Sequence, residues 1–422
     1  MTVTVSPARP LRGAISAPAS KSDAHRAIIA AALADRTTSI ALSELCSDTR
    51  ATLDCLSAMG ASFTHAEGVL TVTPIAKTAK APLLDANESG STLRFLLPVA
   101  AALGIDAHVT GRGRLPERPI APLLSELCSH GVTFDSGRLP LSMRGRLTGG
   151  DFTLPGDLSS QFISGLLFAL PLTGDACRIT VTGRLESEKY VEMTRALLHR
   201  YGVHWEKREN TYLLAAGAAY RSPLSYSVEG DYSGAAFYLV AGALGGDTEI
   251  SILGKDSLQA DRAVLDALVL AGAEVTENEG RIRVHAQKLR PFTFDVSACP
   301  DIFPILAILA AAAEGESHLV GAARLRIKES DRIAATASLL RSLGGSVTEH
   351  PDSLSIFGNG RLSGGRVDGA NDHRIVMSAA VAAILADAPV VITDAEAVNK
   401  SYPAFFADYQ LLGGKVDGIE LR

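Results

Sequence analysis

Five short polar stretches, built from cations, acids, amides and small hydroxyl residues, suit small anions. They are SKSDAHR (20–26), ESGSTLR (88–94), LSSQ (158–161), KESDR (328–332) and NDHR (371–374). Four of them open what reads as an apolar helix. A helix N-terminus offers unpaired N–H groups and the positive end of the helix dipole, so it favours anions. Ser, Asp and Asn are also ordinary helix caps, and taken one at a time each stretch reads more readily as a cap. The cations tip the reading. Arg26 and Arg94 lie one turn into their helices, and Lys21, Arg26 and Arg374 stand near helix starts, where the dipole disfavours positive charge, and so require counter-anions. Arg118 in LPERPI, Lys328, Arg332 and Lys400 sit in loops between apolar runs. Guanidinium forks match carboxylate and phosphate oxygens.

The candidate acids and bases in this setting are Asp301 and Glu329. Two carboxylates among cations can divide base and acid roles if their surroundings separate their pKa values. Asp301 also reads as the cap of CPDIFPILAILAA, and Glu329 as one half of a surface ion pair. His25, beside Arg26, reads as structural. No Gly-rich stretch forms a nucleotide signature: GRGR (111–114) lacks the Lys-Ser/Thr of a P-loop.

Composition narrows the classes. The net charge of −6 provides no global basic field for nucleic acid, and one Trp is too few for base-stacking platforms. Five scattered Cys form no CxxC or Cys/His cluster, which points away from zinc and from a disulfide framework, and toward a reducing cytoplasm. The N-terminal residues lack a signal-peptide core, and no apolar run reaches the roughly 18 residues of a membrane span. With 422 residues, the chain calls for more than one core.

A repeat sets the architecture. An amphipathic run ending in Gly and followed by a strand-like segment recurs as MGASFT, HGVTFD, YGVHWE, AGAEVT, LGGSVT and LGGKVD. Its glycines, Gly60, Gly131, Gly202, Gly272, Gly344 and Gly413, are spaced 69 to 72 residues apart. Gly there supplies the left-handed residue that ends a helix. In register with it runs a second phrase, a polar start and then a helix apolar on all sides, the pattern of a buried helix. These copies begin near Ser20, Ser89, Ser159, Asp231, Pro300 and Asn371. The last copy is short by about the length of the first 19 residues, so the N-terminal strands are expected to complete it. A linear solenoid would need terminal caps that the ends do not provide. The expected fold is α/β (α+β) with two domains. Residues 1–19 plus 229–422 form one and 20–228 the other, each with three repeated units.

The motifs PxSKSxxHRAxxxAAL, ESGSTLRFLLP, LPERPI, LSSQFISGLL, ESxxYVExT, KESDR, NDHRIVM and KSYPxFF run in order from Pro18 to Phe406. Together they resemble the 5-enolpyruvylshikimate-3-phosphate synthase family. The resemblance implies βαβαββ units around buried parallel helices, with sheets outside and the active site in the cleft between two domains. It implies transfer of the carboxyvinyl group of phosphoenolpyruvate to the 5-hydroxyl of shikimate 3-phosphate, with no organic cofactor and no metal. Lys21, Ser22, Arg26, Ser159, Ser160, Gln161, Ser187, Tyr190, Asp301 and Lys328 would hold shikimate 3-phosphate. Lys21, Gly90, Arg118, Gln161, Arg332, Arg374 and Lys400 would hold phosphoenolpyruvate. Asp301, Glu329 and Lys21 would be catalytic. Asp301 would take the hydroxyl proton, and Glu329 would protonate the methylene carbon and later deprotonate it, with Lys21 the other candidate acid.

Gly90 keeps the small residue linked in the family to glyphosate binding, so sensitivity to that inhibitor is expected. Glu88 and Arg324 stand where related sequences carry Asn. Partners are expected to be the two small substrates alone, without nucleic acid or membrane, bound by a monomer. The alternatives are a UDP-N-acetylglucosamine enolpyruvyl transferase and a non-catalytic anion-binding protein on the same fold. The loop around Arg118 lacks the reactive Cys of the former.

Overall fold

The structure, a computed structural model, describes residues 1–7 and 10–419. The polar-then-apolar phrase folds into six helices: Lys21–Ala32, Gly90–Ala102, Ser160–Ala169, Tyr232–Ala243, Phe303–Ala312 and His373–Ala382. Beyond their first residues they are buried over nearly their whole length. A sequence without a polar face leaves a helix no side to turn to water. The amphipathic phrase forms the outer helices Ser47–Met59, Ala121–Ser129, Glu188–Arg200, Val264–Leu270, Arg332–Ser342 and Phe405–Leu411. Each ends within two residues of its repeat glycine, and all six of those glycines have positive φ. At Gly60 the fit is closest: a Cβ there would lie 2.4 Å from the Lys77 carbonyl oxygen.

The strands described form six four-stranded sheets. One repeat shows the plan. Leu83–Asp85 precedes the Gly90 helix and pairs in parallel with Ala107–Thr110, which follows it. After the outer helix the hairpin Val132–Phe134 and Leu141–Gly145 completes the sheet in antiparallel fashion. The order is βαβαββ.

The chain divides into two compact units, Met1–Ser20 with Glu229–Arg422, and Lys21–Val228. The N-terminal strands are shared out differently from the expectation that both would complete the last repeat. Val3–Val5 does so, lying antiparallel between Val390–Ile392 and Val416–Asp417. Arg12–Ser16 instead pairs in parallel with Asp247–Ser251 and opens the fourth repeat. The strand just before that repeat, Ser225–Ser227, pairs in parallel with Thr38–Ala41 and opens the first. A βαβ unit needs a strand ahead of its helix, and these two segments each lead into the helix of the other unit.

The buried helices approach each other closely. In the unit of 21–228, the Gly90 and Ser160 helices meet at Gly165, where a Cβ would lie 2.2 Å from the Arg94 carbonyl oxygen. Pro98, one turn beyond Arg94, has no N–H for that carbonyl. In the other unit the Tyr232, Phe303 and His373 helices pack on one another.

Candidate active site

Within the unit of 1–20 and 229–422, the site is organised by one side chain. Arg332 is 1% exposed and donates to three carboxylates: from Nε to Asp372 (2.8 Å), from Nη1 to Asp301 (2.6 Å) and from Nη2 to Glu329 (2.7 Å). Three elements bring these partners to it. Arg332 opens the outer helix Arg332–Ser342, whose cap is Asp331. Asp372 caps the His373 helix by accepting from the Arg374 N–H (3.0 Å), and it also accepts from Ser330 Oγ (2.9 Å). Asp301 lies in the short turn Pro300–Ile302. Its other oxygen accepts from Arg374 Nη2 (3.2 Å), and Lys328 Nζ stands 3.9 Å away. Lys400 donates to the Asn371 carbonyl (2.6 Å), next to the same helix start.

The electrostatics follow from this geometry. Burial alone would raise the Asp301 carboxyl. Arg374, Lys328 and Arg332 outweigh it and hold the group well below the usual carboxylate range. Burial pushes Lys328 down to about 8 against the opposing pull of Asp301 and Glu329. Arg332 is held charged, because Asp372, Glu329 and Asp301 overcome its burial. Asp261 is fully buried and accepts from Ser233 Oγ. Burial and the nearby Asp301 raise it to about 6.

The unit of 21–228 carries a second, more cationic cluster. Lys21 opens its helix and pairs with Asp48 at 3.0 Å. Ser89 caps the Gly90 helix and Ser159 the Ser160 helix, through the N–H groups of Thr92 and Gln161. Arg94 donates to Gln161 Oε1 (3.2 Å) and to the Pro119 carbonyl (3.1 Å), while Gln161 Nε2 donates to Ser91 Oγ (2.9 Å). Arg118 comes in over the same helix start. A Cβ on Gly90 would sit 2.5 Å from Arg94 Nη1 and 2.8 Å from Arg118 Nη1. Arg26 is buried. It donates to Thr194 Oγ1 (2.8 Å) and to the carbonyls of Ser22 (2.6 Å) and Tyr190 (2.9 Å). Its guanidinium also lies over the rings of Phe95 and Tyr190. Burial brings Arg26 down to about 10, with Asp23 opposing. Ser187 sits in the left-handed region (φ 54°) at the head of Glu188–Arg200.

Several sequence expectations change here. Asp301 is not a cap: the Phe303 helix has no side-chain cap, and both Asp301 oxygens face arginines. The counter-anions required by Lys21 and Arg374 are the protein's own Asp48 and Asp301. Arg26 is tied instead to carbonyls, a hydroxyl and two rings. Arg324 donates to the Ser297 carbonyl (2.8 Å), and the Glu88 carboxylate packs against Gly113. The sequence reading gave no role to Asp48 or Asp261; it placed Asp372 at a helix start, where it is the cap, but did not pair it with Arg332. Asp48 and Asp372 resemble ordinary helix starts, and nothing in spacing marks their partners. Among the described residues no group of three or more His, Cys, Asp or Glu could hold a metal, and no helix is long and apolar enough to cross a membrane.

Buried guanidiniums shared among carboxylates in one unit, and cations at helix starts in the other, have the chemistry to bind small polyanions with acid–base groups at hand. Comparison with known proteins gives this class a family. The model for EPSP synthase (3-phosphoshikimate 1-carboxyvinyltransferase) matches residues 5–409, and the chain belongs to that family. A 3-phosphoshikimate 1-carboxyvinyltransferase of Clostridium kluyveri is 40% identical over 418 residues, covering 98% of each chain. The solved EPSP synthase of Acinetobacter baumannii superposes with a TM-score of 0.83 at 27% identity, over 99% of this chain and 100% of that one. The enolpyruvyl transferase NikO of Streptomyces tendae shares the fold, with a TM-score of 0.79 at 19% identity over 98% of each chain.

Proposed function

We propose that the protein transfers the carboxyvinyl group of phosphoenolpyruvate to the 5-hydroxyl of shikimate 3-phosphate, releasing phosphate, in the shikimate pathway to aromatic amino acids. The observation that carries this reading is the Arg332 hub, which holds Asp301 and Glu329 beside Lys328 and Arg374. Phosphoenolpyruvate is met by Arg332, Arg374 and Lys400 from this cluster, and by Lys21, Gly90, Arg118 and Gln161 from the other. Shikimate 3-phosphate is met by Lys21, Ser22, Arg26, Ser159, Ser160, Gln161, Ser187 and Tyr190, and its ring hydroxyls by Asp301 and Lys328. The two units act as two domains of three repeats each, and both supply residues to the one reaction. The same reading takes the enzyme as a cytoplasmic monomer without cofactor. Five free cysteines suit a reducing compartment.

In the proposed mechanism Asp301 takes the 5-hydroxyl proton as the oxygen bonds to C2 of phosphoenolpyruvate. Glu329 delivers a proton to C3, which gives a tetrahedral adduct. Asp301 then passes its proton to the departing phosphate, and return of one C3 proton to Glu329 restores the vinyl group. Asp301 is a weak base while Arg332 and Arg374 rest on it. A substrate carboxylate that shares those arginines weakens their hold and raises its basicity. Arg332 also keeps Asp372 and Glu329, so it can turn part of its fork to the substrate without being left buried and unpaired.

The test is phosphate release from phosphoenolpyruvate with shikimate 3-phosphate or UDP-N-acetylglucosamine as acceptor. Release with shikimate 3-phosphate alone is the expected result. Release with the nucleotide sugar alone would keep the chemistry and overturn the acceptor. No release with either, from folded protein, would favour a binding protein.

A further inference from the structure

Beneath the Lys21 and Gly90 helix starts runs an unbroken line of buried polar side chains. His25 Nδ1 lies 2.7 Å from Thr52 Oγ1, and Thr52 Oγ1 lies 2.7 Å from Thr92 Oγ1. Thr92 Oγ1 reaches Ser89 Oγ (2.8 Å) and the Asp48 carbonyl oxygen (3.3 Å). His25, Thr52, Thr92 and Ser89 are each 0% exposed. The line closes on itself, because Asp48 holds the Lys21 ammonium and Lys21 lies one turn before His25 on the same helix. Four segments are thus joined: the Lys21 helix, the Ser47–Met59 helix, the Ser89 cap and the Gly90 helix.

Building on the function proposed above, we propose that His25, Thr52 and Thr92 are positioning residues that set Lys21 and Gly90 for phosphoenolpyruvate, through a relay with a single proton order. The order follows from counting hydrogens. Thr92 has one hydroxyl proton, and it is directed at Ser89 Oγ (2.8 Å) or the Asp48 carbonyl (3.3 Å), both of which lie away from Thr52. Thr52 therefore donates to Thr92, and having spent its proton it must accept from His25. The ring proton then sits on Nδ1. Nε2 is left bare, and it is buried with no hydrogen-bond partner among the described residues. A second proton there would place a cation beside Lys21 and Arg26. Burial already disfavours that charge, and His25 is held neutral, well below its usual range. The relay fixes the Ser89 hydroxyl, which caps the helix start where Gly90 faces Arg94 and Arg118, and the Asp48 backbone, whose carboxylate aims Lys21. A core that needed only bulk at 52 and 92 would be served equally by Val, which has the shape of Thr without the hydroxyl.

Two measurements test this. In protein labelled with 15N-histidine, the His25 ring, assigned by its loss in His25→Asn, should show a protonated Nδ1 and a bare Nε2. An Nε2–H ring would overturn the relay. Thr52→Val should raise KM for phosphoenolpyruvate about three- to tenfold, the worth of one buried neutral hydrogen bond, with kcat within about twofold. Thr52→Ser should restore it, and Thr92→Val should repeat the effect if Thr52→Val does not fold. An unchanged KM, or equal losses in Ser and Val, would reduce these residues to packing. Should the wild-type protein release no phosphate, the functional reading fails separately, and the ring tautomer in the folded chain still decides the relay.

Discussion

Gly90→Ala probes the point where the cations meet. The added Cβ would lie 2.5 Å from Arg94 Nη1 and 2.8 Å from Arg118 Nη1. Both neighbours are ends of flexible side chains, so they move and the backbone stays. Restoring ordinary contact at about 3.4 Å displaces them by about 0.9 and 0.6 Å. A shift of that size removes or misaligns one charge-assisted hydrogen bond to the substrate anion, worth about 1.5–3 kcal/mol. That is roughly a 10- to 100-fold rise in KM for phosphoenolpyruvate. Residue 90 is the first of its helix, where Ala in place of Gly is favourable by up to about 1 kcal/mol, so the melting temperature should not fall. The assay is initial-rate phosphate release with phosphoenolpyruvate varied at saturating shikimate 3-phosphate, and then the reverse. An unchanged KM for phosphoenolpyruvate would refute the argument. So would an equal rise for both substrates, or a loss of stability in step with the loss of affinity.

Asp301→Asn should lower kcat by about 10²- to 10⁴-fold, the usual range for a lost general base, while calorimetry shows shikimate 3-phosphate still binding; parallel loss of both would make Asp301 structural. Lys328, brought down to about 8 from 10.5, should give kcat/KM an alkaline limb near pH 8 as its ammonium is lost. Lys328→Arg should remove that limb. The unfolded chain keeps that proton to higher pH, so between about 8 and 10.5 it binds more protons than the folded one, and the Lys328 contribution to stability rises with pH there. Cys128 is exposed and should alkylate quickly in native protein; Cys46, Cys55, Cys177 and Cys299 are buried and should react only on unfolding. Burial lifts the Cys55 thiol to about 12, so thiolate is scarce there at neutral pH.

The repeat is legible in the residues alone, because its signals are local. A helix apolar on every face must be buried, and a helix that turns sharply into a strand needs a residue tolerant of positive φ, so six glycines near 70-residue intervals mark six copies of one unit. The candidates for chemistry are legible there too, since cations at helix starts and an acid–base run such as KESDR are visible without coordinates. How those residues are employed follows from the fold. Arg332 and Asp372 are 40 residues apart in the chain and 2.8 Å apart in space, and no spacing rule links them. The structure removed the alternative of Asp301 as a cap by seating it between two arginines, buried Arg26 among carbonyls and rings, and sent Arg12–Ser16 to the fourth repeat instead of the sixth. Local propensity fixes where a helix begins and ends. Which carboxylate neutralises which cation depends on packing between segments distant in sequence, where a buried charge is tolerated only if the fold brings it a partner.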